Sequence, residues 1–83
     1  MYDLIRSPRM AGHVVRKARK ARGWSQDQLA KRMNVRQATI SKLETGSPNT
    51  RMEVFFDALT ALELELTAGP RVTESEIDFG DLY

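Results

Sequence analysis

The sequence predicts a small all-α domain of four to five helices, followed by one short β-strand and a flexible acidic tail. Apolar residues recur at spacings of three and four along most of the first 62 residues, and the period changes to two at Leu62. We expect the folded domain to span residues 1–69 and the tail residues 70–83. A chain of 83 residues buries a small core, which favours stabilisation by dimerisation.

The first helix is predicted to begin at Ser7-Pro8 and to end at Gly23. Serine caps a helix, proline fits its first position and glycine ends it. The apolar stripe of this helix is Ala11, Val14, Val15, Ala18 and Ala21. Its predicted solvent face is Arg16, Lys17, Arg19, Lys20 and Arg22. Trp24 follows as a predicted core residue, with a stacking role as the alternative.

Two short helices joined by a tight turn come next. Ser25 and Gln28 have the spacing of a capping box, which predicts the start of the second helix. Asn34 is expected at the turn, because asparagine tolerates a left-handed backbone. The third helix is predicted over residues 36–45. The buried positions of this helix pair are Leu29, Ala30, Met33, Val35, Ile40 and Leu43.

The end of the domain is predicted to form a fourth helix and then a strand. Thr50 and Glu53 have the spacing of a second capping box, and the following apolar stripe is Val54, Phe55, Ala58, Leu59 and Leu62. Residues 62–67 alternate apolar and polar side chains, which is typical of a strand. A strand alone is unstable, so we expect it to pair with its copy in a dimer. The predicted dimer contacts are Phe56, Leu62, Leu64 and Leu66.

Charge is distributed unevenly along the chain. Residues 1–52 carry twelve lysines and arginines against three acids, whereas residues 53–83 carry one arginine against eight acids. A basic body indicates a polyanionic partner, and ordinary solvated surfaces are the alternative. The acidic tail is open to two interpretations. It is either an inert solubilising end, or a segment that docks on a basic partner or directs proteolysis.

The outward face of the third helix carries short, amide and basic side chains, which suit a helix in the major groove of DNA. Gln37 can pair with the N6/N7 edge of adenine, and Ala38 can contact a thymine methyl group. The predicted base contacts are Arg36, Gln37, Ala38, Ser41 and Lys42. The predicted phosphate contacts are Ser25, Gln26, Thr39 and Arg51. The alternatives are a plain cap for Ser25, a solvated Gln26 and a Thr39 hydroxyl bonded to its own helix.

The composition argues against an enzyme, a metalloprotein and a membrane protein. The chain has no cysteine and a single histidine, His13, so we expect no disulfide and no zinc site. Its carboxylates are scattered, and it has no glycine-rich phosphate loop. No apolar run approaches the ~18 residues that span a membrane, and no signal-peptide core is seen. We expect no cofactor and a cytoplasmic location, near the nucleoid through DNA binding.

Two runs carry a family resemblance, residues 22–30 (RGWSQDQLA) and residues 38–46 (ATISKLETG). They resemble the phage-repressor-like (Cro-type, XRE) helix-turn-helix family, over about residues 10–62. Asn34 stands where that family often has glycine. The resemblance implies a lambda-repressor-like DNA-binding domain with its helix-turn-helix at about residues 25–45. A dimer of this kind binds a palindromic operator with half-sites about one helical turn apart, ~34–36 Å.

A narrower resemblance concerns HipB-type antitoxins. It is carried by Ser7-Pro8, Gly23-Trp24, residues 37–41, the pair Phe55-Phe56 and residues 64–67. It implies a dimeric antitoxin that represses its own operon and neutralises a HipA-type serine/threonine kinase toxin. Two alternatives stay open: a stand-alone XRE-family repressor without a toxin partner, and an interaction module that uses this fold without binding DNA.

Overall fold

The computed structural model describes residues 3–71 and shows four α-helices followed by a segment without regular secondary structure. The helices are α1 (Pro8–Ala21), α2 (Gln26–Met33), α3 (Gln37–Glu44) and α4 (Met52–Ala61). Helices α2 and α3 pack on each other, α1 packs mainly on α3, and α4 packs mainly on α2. The predicted all-α class is confirmed. No helix within residues 3–71 has the length and apolar character that a membrane span requires.

The caps of the first two helices follow the sequence signals. Ser7 Oγ accepts a hydrogen bond from the backbone N–H of Met10 at 3.1 Å. Ser25 and Gln28 form the predicted capping box, with Gln28 N–H donating to Ser25 Oγ at 3.0 Å and Ser25 N–H donating to Gln28 Oε1 at 2.7 Å. Asn34 ends α2 in the left-handed region, with φ 58°. These local bonds fix both ends of α2 and therefore the turn into α3.

The predicted capping box at the start of α4 is wrong. The N-cap of α4 is Arg51, and its side chain makes no capping hydrogen bond. Thr50 lies one residue before the N-cap. Its backbone N–H donates to Ser47 O at 3.2 Å, so Thr50 belongs to the preceding turn. Its hydroxyl Oγ1 is buried and has no hydrogen-bond partner within residues 3–71.

The hydrophobic core lies where the four helices meet. Its largest fully buried side chains come from α1, α2, α3 and the end of α4, and they are Val15, Leu29, Ile40 and Leu62. Burying an aliphatic side chain of this size stabilises the fold by about 1.5–3 kcal/mol. The predictions that Leu29 and Ile40 are buried in the core are confirmed. Because Ile40 lies on the inner face of α3, the opposite face of this helix is directed outward.

Two glycines allow α1 to lie directly against the C-terminal end of α3. A Cβ atom on Gly12 would lie 2.8 Å from the carbonyl oxygen of Glu44 and would also overlap the carbonyl oxygen of Leu43. Gly46 follows α3 with φ 81°, and a Cβ there would lie 2.5 Å from the Cα of Arg9. A side chain at either position would push the two helices apart.

The chain leaves α4 in a fixed direction. Leu62 is the C-cap of α4, and Glu63 adopts the left-handed region with φ 57°. Arg22 donates from Nη2 to the carbonyl oxygen of Leu62 at 3.1 Å and to Glu63 Oε1 at 3.3 Å. The end of α1 therefore holds the end of α4.

The strand predicted to begin at Leu62 differs from the structure. Leu62 ends a helix and is 2% exposed, so its side chain fills the core of its own chain and is not free to contact a second copy. Residues 64–71 form no strand within the described chain, and their pairing in a dimer stays a prediction. Most of the predicted tail, from residue 72 onward, lies outside the described residues.

We expect Gly12→Ala to lower the free energy of unfolding by about 1–3 kcal/mol, because the added methyl group overlaps backbone carbonyls of α3. Urea denaturation followed by circular dichroism measures this change. Gly69→Ala is the matched control, since a Cβ there meets no atom within 4 Å. Equal stability of the two variants would contradict the close approach of α1 to α3.

Candidate nucleic-acid interface

The outward face of α3 presents the side chains that the sequence analysis assigned to base contacts. Arg36 is the N-cap of α3, and Gln37, Ala38 and Lys42 are exposed, while Ser41 is half-buried. Residues 37, 38, 41 and 42 are spaced by three and four and so share one face of the helix. The side chains on this face are mostly short and polar. A cation lies near each end, Arg36 at the start and Lys42 in the last turn.

The residues assigned to phosphate contacts lie on three helices. Ser25 and Gln26 lie at the start of α2, Thr39 is half-buried in the first turn of α3, and Arg51 is the exposed N-cap of α4. The first backbone N–H groups of α2 have no partner within the helix and lie at its positive end. Ser25 Oγ accepts a bond from Gln28 N–H, which leaves the hydroxyl proton able to donate to an anion.

An acidic residue lies beside this anion-attracting end of α2. Asp27 is in the first turn of α2, where its carboxylate would repel a phosphate. Lys31 lies one turn further along, with Nζ 3.2 Å from Asp27 Oδ2. The lysine offsets the negative charge of the carboxylate locally, so the start of α2 stays suitable for an anion.

The structure brings Gln26 and Gln37 together. Gln37 Nε2 donates to Gln26 Oε1 at 2.7 Å, so the first residue of α2 touches the first residue of α3. Gln26 Nε2 donates in turn to Glu44 Oε1 at 3.1 Å. The interpretation of Gln26 as a merely solvated side chain is therefore wrong, because its amide bridges two helices through hydrogen bonds.

Behind these amides lies a buried ion pair that the sequence analysis missed. Arg19 Nε donates to Glu44 Oε2 at 2.7 Å and Arg19 Nη2 donates to Glu44 Oε1 at 3.0 Å. The Arg19 and Glu44 side chains are only 9% and 2% exposed. Arg19 Nη1 also donates to the carbonyl oxygen of Trp24 at 2.6 Å. The expected placement of Arg19 on the solvent face of α1 is wrong, since its charge is satisfied inside the protein.

A pattern in the sequence could have indicated this pair. Arg19 follows the buried Val15 by four residues, and Glu44 follows the buried Ile40 by four. Both charges therefore occupy stripe positions where an apolar residue is expected. One positive and one negative charge on two inward stripes is the signature of a buried pair, because a lone buried charge is strongly unfavourable.

Trp24 packs against the core as predicted, and its ring also contacts two arginines. The guanidinium carbon of Arg32 lies 4.0 Å from the ring centroid, and that of Arg22 lies 5.1 Å from it. Each such contact contributes about 0.5–1 kcal/mol at an exposed site. The ring thus connects the end of α1 to the end of α2.

Apolar side chains remain on the surface near the C-terminus of the described chain. Phe56 is 44% exposed and Leu66 is 47% exposed, while Leu64 is half-buried and packs on the core. The ring of Phe56 lies 5.8 Å from the ring of Phe55, which anchors it at one side. Of the predicted dimer contacts, Phe56 and Leu66 are therefore accessible to a partner and Leu64 is partly accessible. Leu62 is buried and is not accessible.

The model of the helix-turn-helix family matches residues 15–68, and the chain belongs to this family. It is 36% identical over 81 residues to Antitoxin HipB of Escherichia coli (strain K12). The aligned residues cover 90% of this chain and 92% of that protein. Antitoxin HipB of Escherichia coli (strain CFT073) is 35% identical over 81 residues, covering 90% of this chain and 86% of that protein. The resemblance to HipB-type antitoxins is thereby confirmed.

Solved structures give the same result for the fold. A chain of a HipA-HipB-O2-O3 complex superposes with a TM-score of 0.76 at 36% identity, over 83% of this chain and 97% of that chain. A HipB-O4 20mer complex gives a TM-score of 0.77 at 36% identity, over 83% and 97% of the two chains.

Proposed function

We propose that this chain is a DNA-binding antitoxin that represses its own operon and neutralises a HipA-type serine/threonine kinase toxin. The observation that carries the proposal is the exposed polar face of α3, held across α2 by the core, on a chain related to HipB over most of its length. The chain acts by binding and not by catalysis. We place it in the cytoplasm, near the nucleoid.

Helix α3 would enter the major groove, with Gln37 and Ala38 near base edges at its N-terminal end. Arg36 and Lys42 would contact guanine or a phosphate from the two ends of the same face. The start of α2 and the Arg51 side chain would hold phosphates and fix the register of the helix. Because such contacts release counterions, affinity should fall steeply with salt, whereas an interaction module without DNA binding would show no such dependence.

We expect Gln37→Ala to weaken binding of the preferred duplex by about 1–3 kcal/mol and to relax specificity at one base pair, because a bidentate contact is lost. Fluorescence anisotropy measures this with a duplex selected from a randomised library and with its single-pair variants. Arg51→Ala is the control and should weaken all duplexes to a similar extent. Unchanged affinity in Gln37→Ala would refute its assignment as a base contact.

We further propose that residues 1–69 form the DNA-binding and dimerisation unit, with the dimer built on α4 and the segment after it. Phe56 and Leu66 expose apolar surface, and Leu64 shares the period-two face of Leu66. Pairing of two such segments would satisfy the backbone groups of both edges. A dimer of this kind places two copies of α3 on one face for a palindromic site.

The double variant Phe56→Glu/Leu66→Glu should be monomeric, since it places buried charges at both proposed contacts. Analytical ultracentrifugation gives the mass directly. Met10→Glu is the matched control: Met10 is 37% exposed and lies on α1, away from α4 and the segment after it, so this variant should stay dimeric. A double variant that sediments as a dimer would place the interface elsewhere.

The toxin partner is tested by co-expression. The tagged chain, produced with the gene next to its own, should co-purify with a kinase-sized protein in fixed stoichiometry and should relieve the growth arrest that this protein causes. The complex should still shift DNA from upstream of the operon. A lone dimer that shifts the same DNA would instead establish the stand-alone repressor.

A further inference from the structure

We propose that the outer edge of α1 is a further DNA-contacting surface, which binds backbone phosphates of the duplex that α3 reads. The surface is a row of basic side chains, and we call it the α1 row. Its members are Arg9, His13, Arg16 and Lys20. The inference rests on the proposed function, in which α3 lies on DNA. Contacts of this kind add affinity without reading bases.

The four members of the α1 row share one face of the helix. Their spacings of four, three and four residues are those of a single helical stripe. At a rise of about 1.5 Å per residue, the row is about 16 Å long. All four side chains are exposed, and no acidic residue interrupts the row.

Ion pairing separates the α1 row from the other basic residues of α1 and its C-cap. Each basic residue off the row has an acidic partner, at a distance of 2.7 to 3.3 Å. These pairs are Lys17–Asp3, Arg19–Glu44 and Arg22–Glu63. Arg9, Arg16 and Lys20, by contrast, have no ion-pair partner within residues 3–71. Unpaired like charges in one row repel one another, and an anionic ligand would offset that repulsion.

Each end of the α1 row adjoins an element that begins with a proposed phosphate contact. At one end, the carbonyl oxygen of Lys20 accepts a hydrogen bond from Gly23 N–H at 2.9 Å, in the turn that leads into α2. At the other end, the backbone of Arg9 lies against Gly46, in the loop that leads into α4. The row therefore runs from the start of α2 towards the start of α4, along the edge of the proposed interface.

A DNA backbone suits the α1 row better than an acidic protein surface does. Protein–DNA interfaces are much more positively charged than protein–protein interfaces, which are depleted in lysine. A duplex also offers phosphates at regular intervals over the whole length of the row. Arg9 and Arg16 carry planar guanidinium groups, whose donors match phosphate oxygens.

The first experiment compares Arg16→Gln with its matched control, Lys17→Gln. Both residues are exposed cations of α1, but Lys17 lies off the row and pairs with Asp3. Affinity for the preferred duplex is measured over a range of salt concentrations. Arg16→Gln should make the slope of log K against log [salt] shallower by about 1 for each bound protomer, and Lys17→Gln should change it by less than half as much.

Two further readouts separate a phosphate contact from other roles of Arg16. Arg16→Lys keeps the charge and should keep the wild-type salt slope. In Arg16→Gln, the ratio of affinities between the preferred duplex and each of its single-pair variants should stay unchanged, because no base contact is lost.

Phosphate ethylation interference then shows whether the contact is direct. Ethylation neutralises one phosphate at a time, so binding is weakened wherever a contacted phosphate is modified. With Arg16→Gln, the interference should disappear at one phosphate of each half-site and persist at the others. Lys17→Gln should give the complete wild-type pattern.

Three distinct results would overturn the proposal. An unchanged salt slope and an unchanged ethylation pattern in Arg16→Gln would make the α1 row an ordinary solvated surface. Loss of the co-purifying kinase with unchanged DNA binding would assign the row to an acidic protein partner. A wild-type chain that binds no duplex would refute the proposed function itself, and the inference with it. Thermal melting followed by circular dichroism verifies that the compared variants are folded.

Discussion

The contact between α1 and the C-terminal end of α3 sets the geometry of the whole domain. Gly12 allows the approach, and the Arg19–Glu44 pair crosses it where water is excluded. Such a pair gives little net stability, because removing two charges from water offsets their attraction. It does impose one geometry, since the carbonyl oxygen of Trp24 and the amide of Gln26 bond to the pair only in this arrangement. These buried contacts thus determine the direction of the outward face of α3.

The surfaces proposed for DNA recognition and for dimer assembly occupy different parts of the chain. Helices α1 to α3 hold the amides named above and most of the basic residues, whereas α4 and the following segment hold three of the four large apolar side chains that are exposed within residues 3–71. Arg22 joins the two parts, because it lies at the end of α1, contacts the ring of Trp24 and bonds to the end of α4. The angle between the proposed DNA-reading face and the proposed dimer segment therefore depends on this guanidinium group as well as on the packing of α4 against α2.

The sequence predicts the features that depend on near neighbours. The caps at Ser7 and Ser25 and the turn at Asn34 involve residues within a few positions, and all three are correct. The errors at Leu62 and at the Arg19–Glu44 pair have non-local causes. Leu62 belongs both to a helical stripe and to an alternating run, and only packing on the other helices decides between them. Glu44 and Arg19 are 25 residues apart on two different helices, so the signal for their pairing lies in two separate stripes and not in any one local motif.

Because of its position, Trp24 makes the intrinsic fluorescence of the domain sensitive to its structure. It is the only tryptophan in the sequence, and its indole ring lies between the core and the guanidinium groups of Arg22 and Arg32. Its emission therefore senses the packing of the core, while the two cations report movement at the ends of α1 and α2. Since Arg22 also holds the end of α4, reorientation of the C-terminal segment should change the tryptophan signal without unfolding the protein. Assembly and folding can then be followed separately in the unlabelled chain.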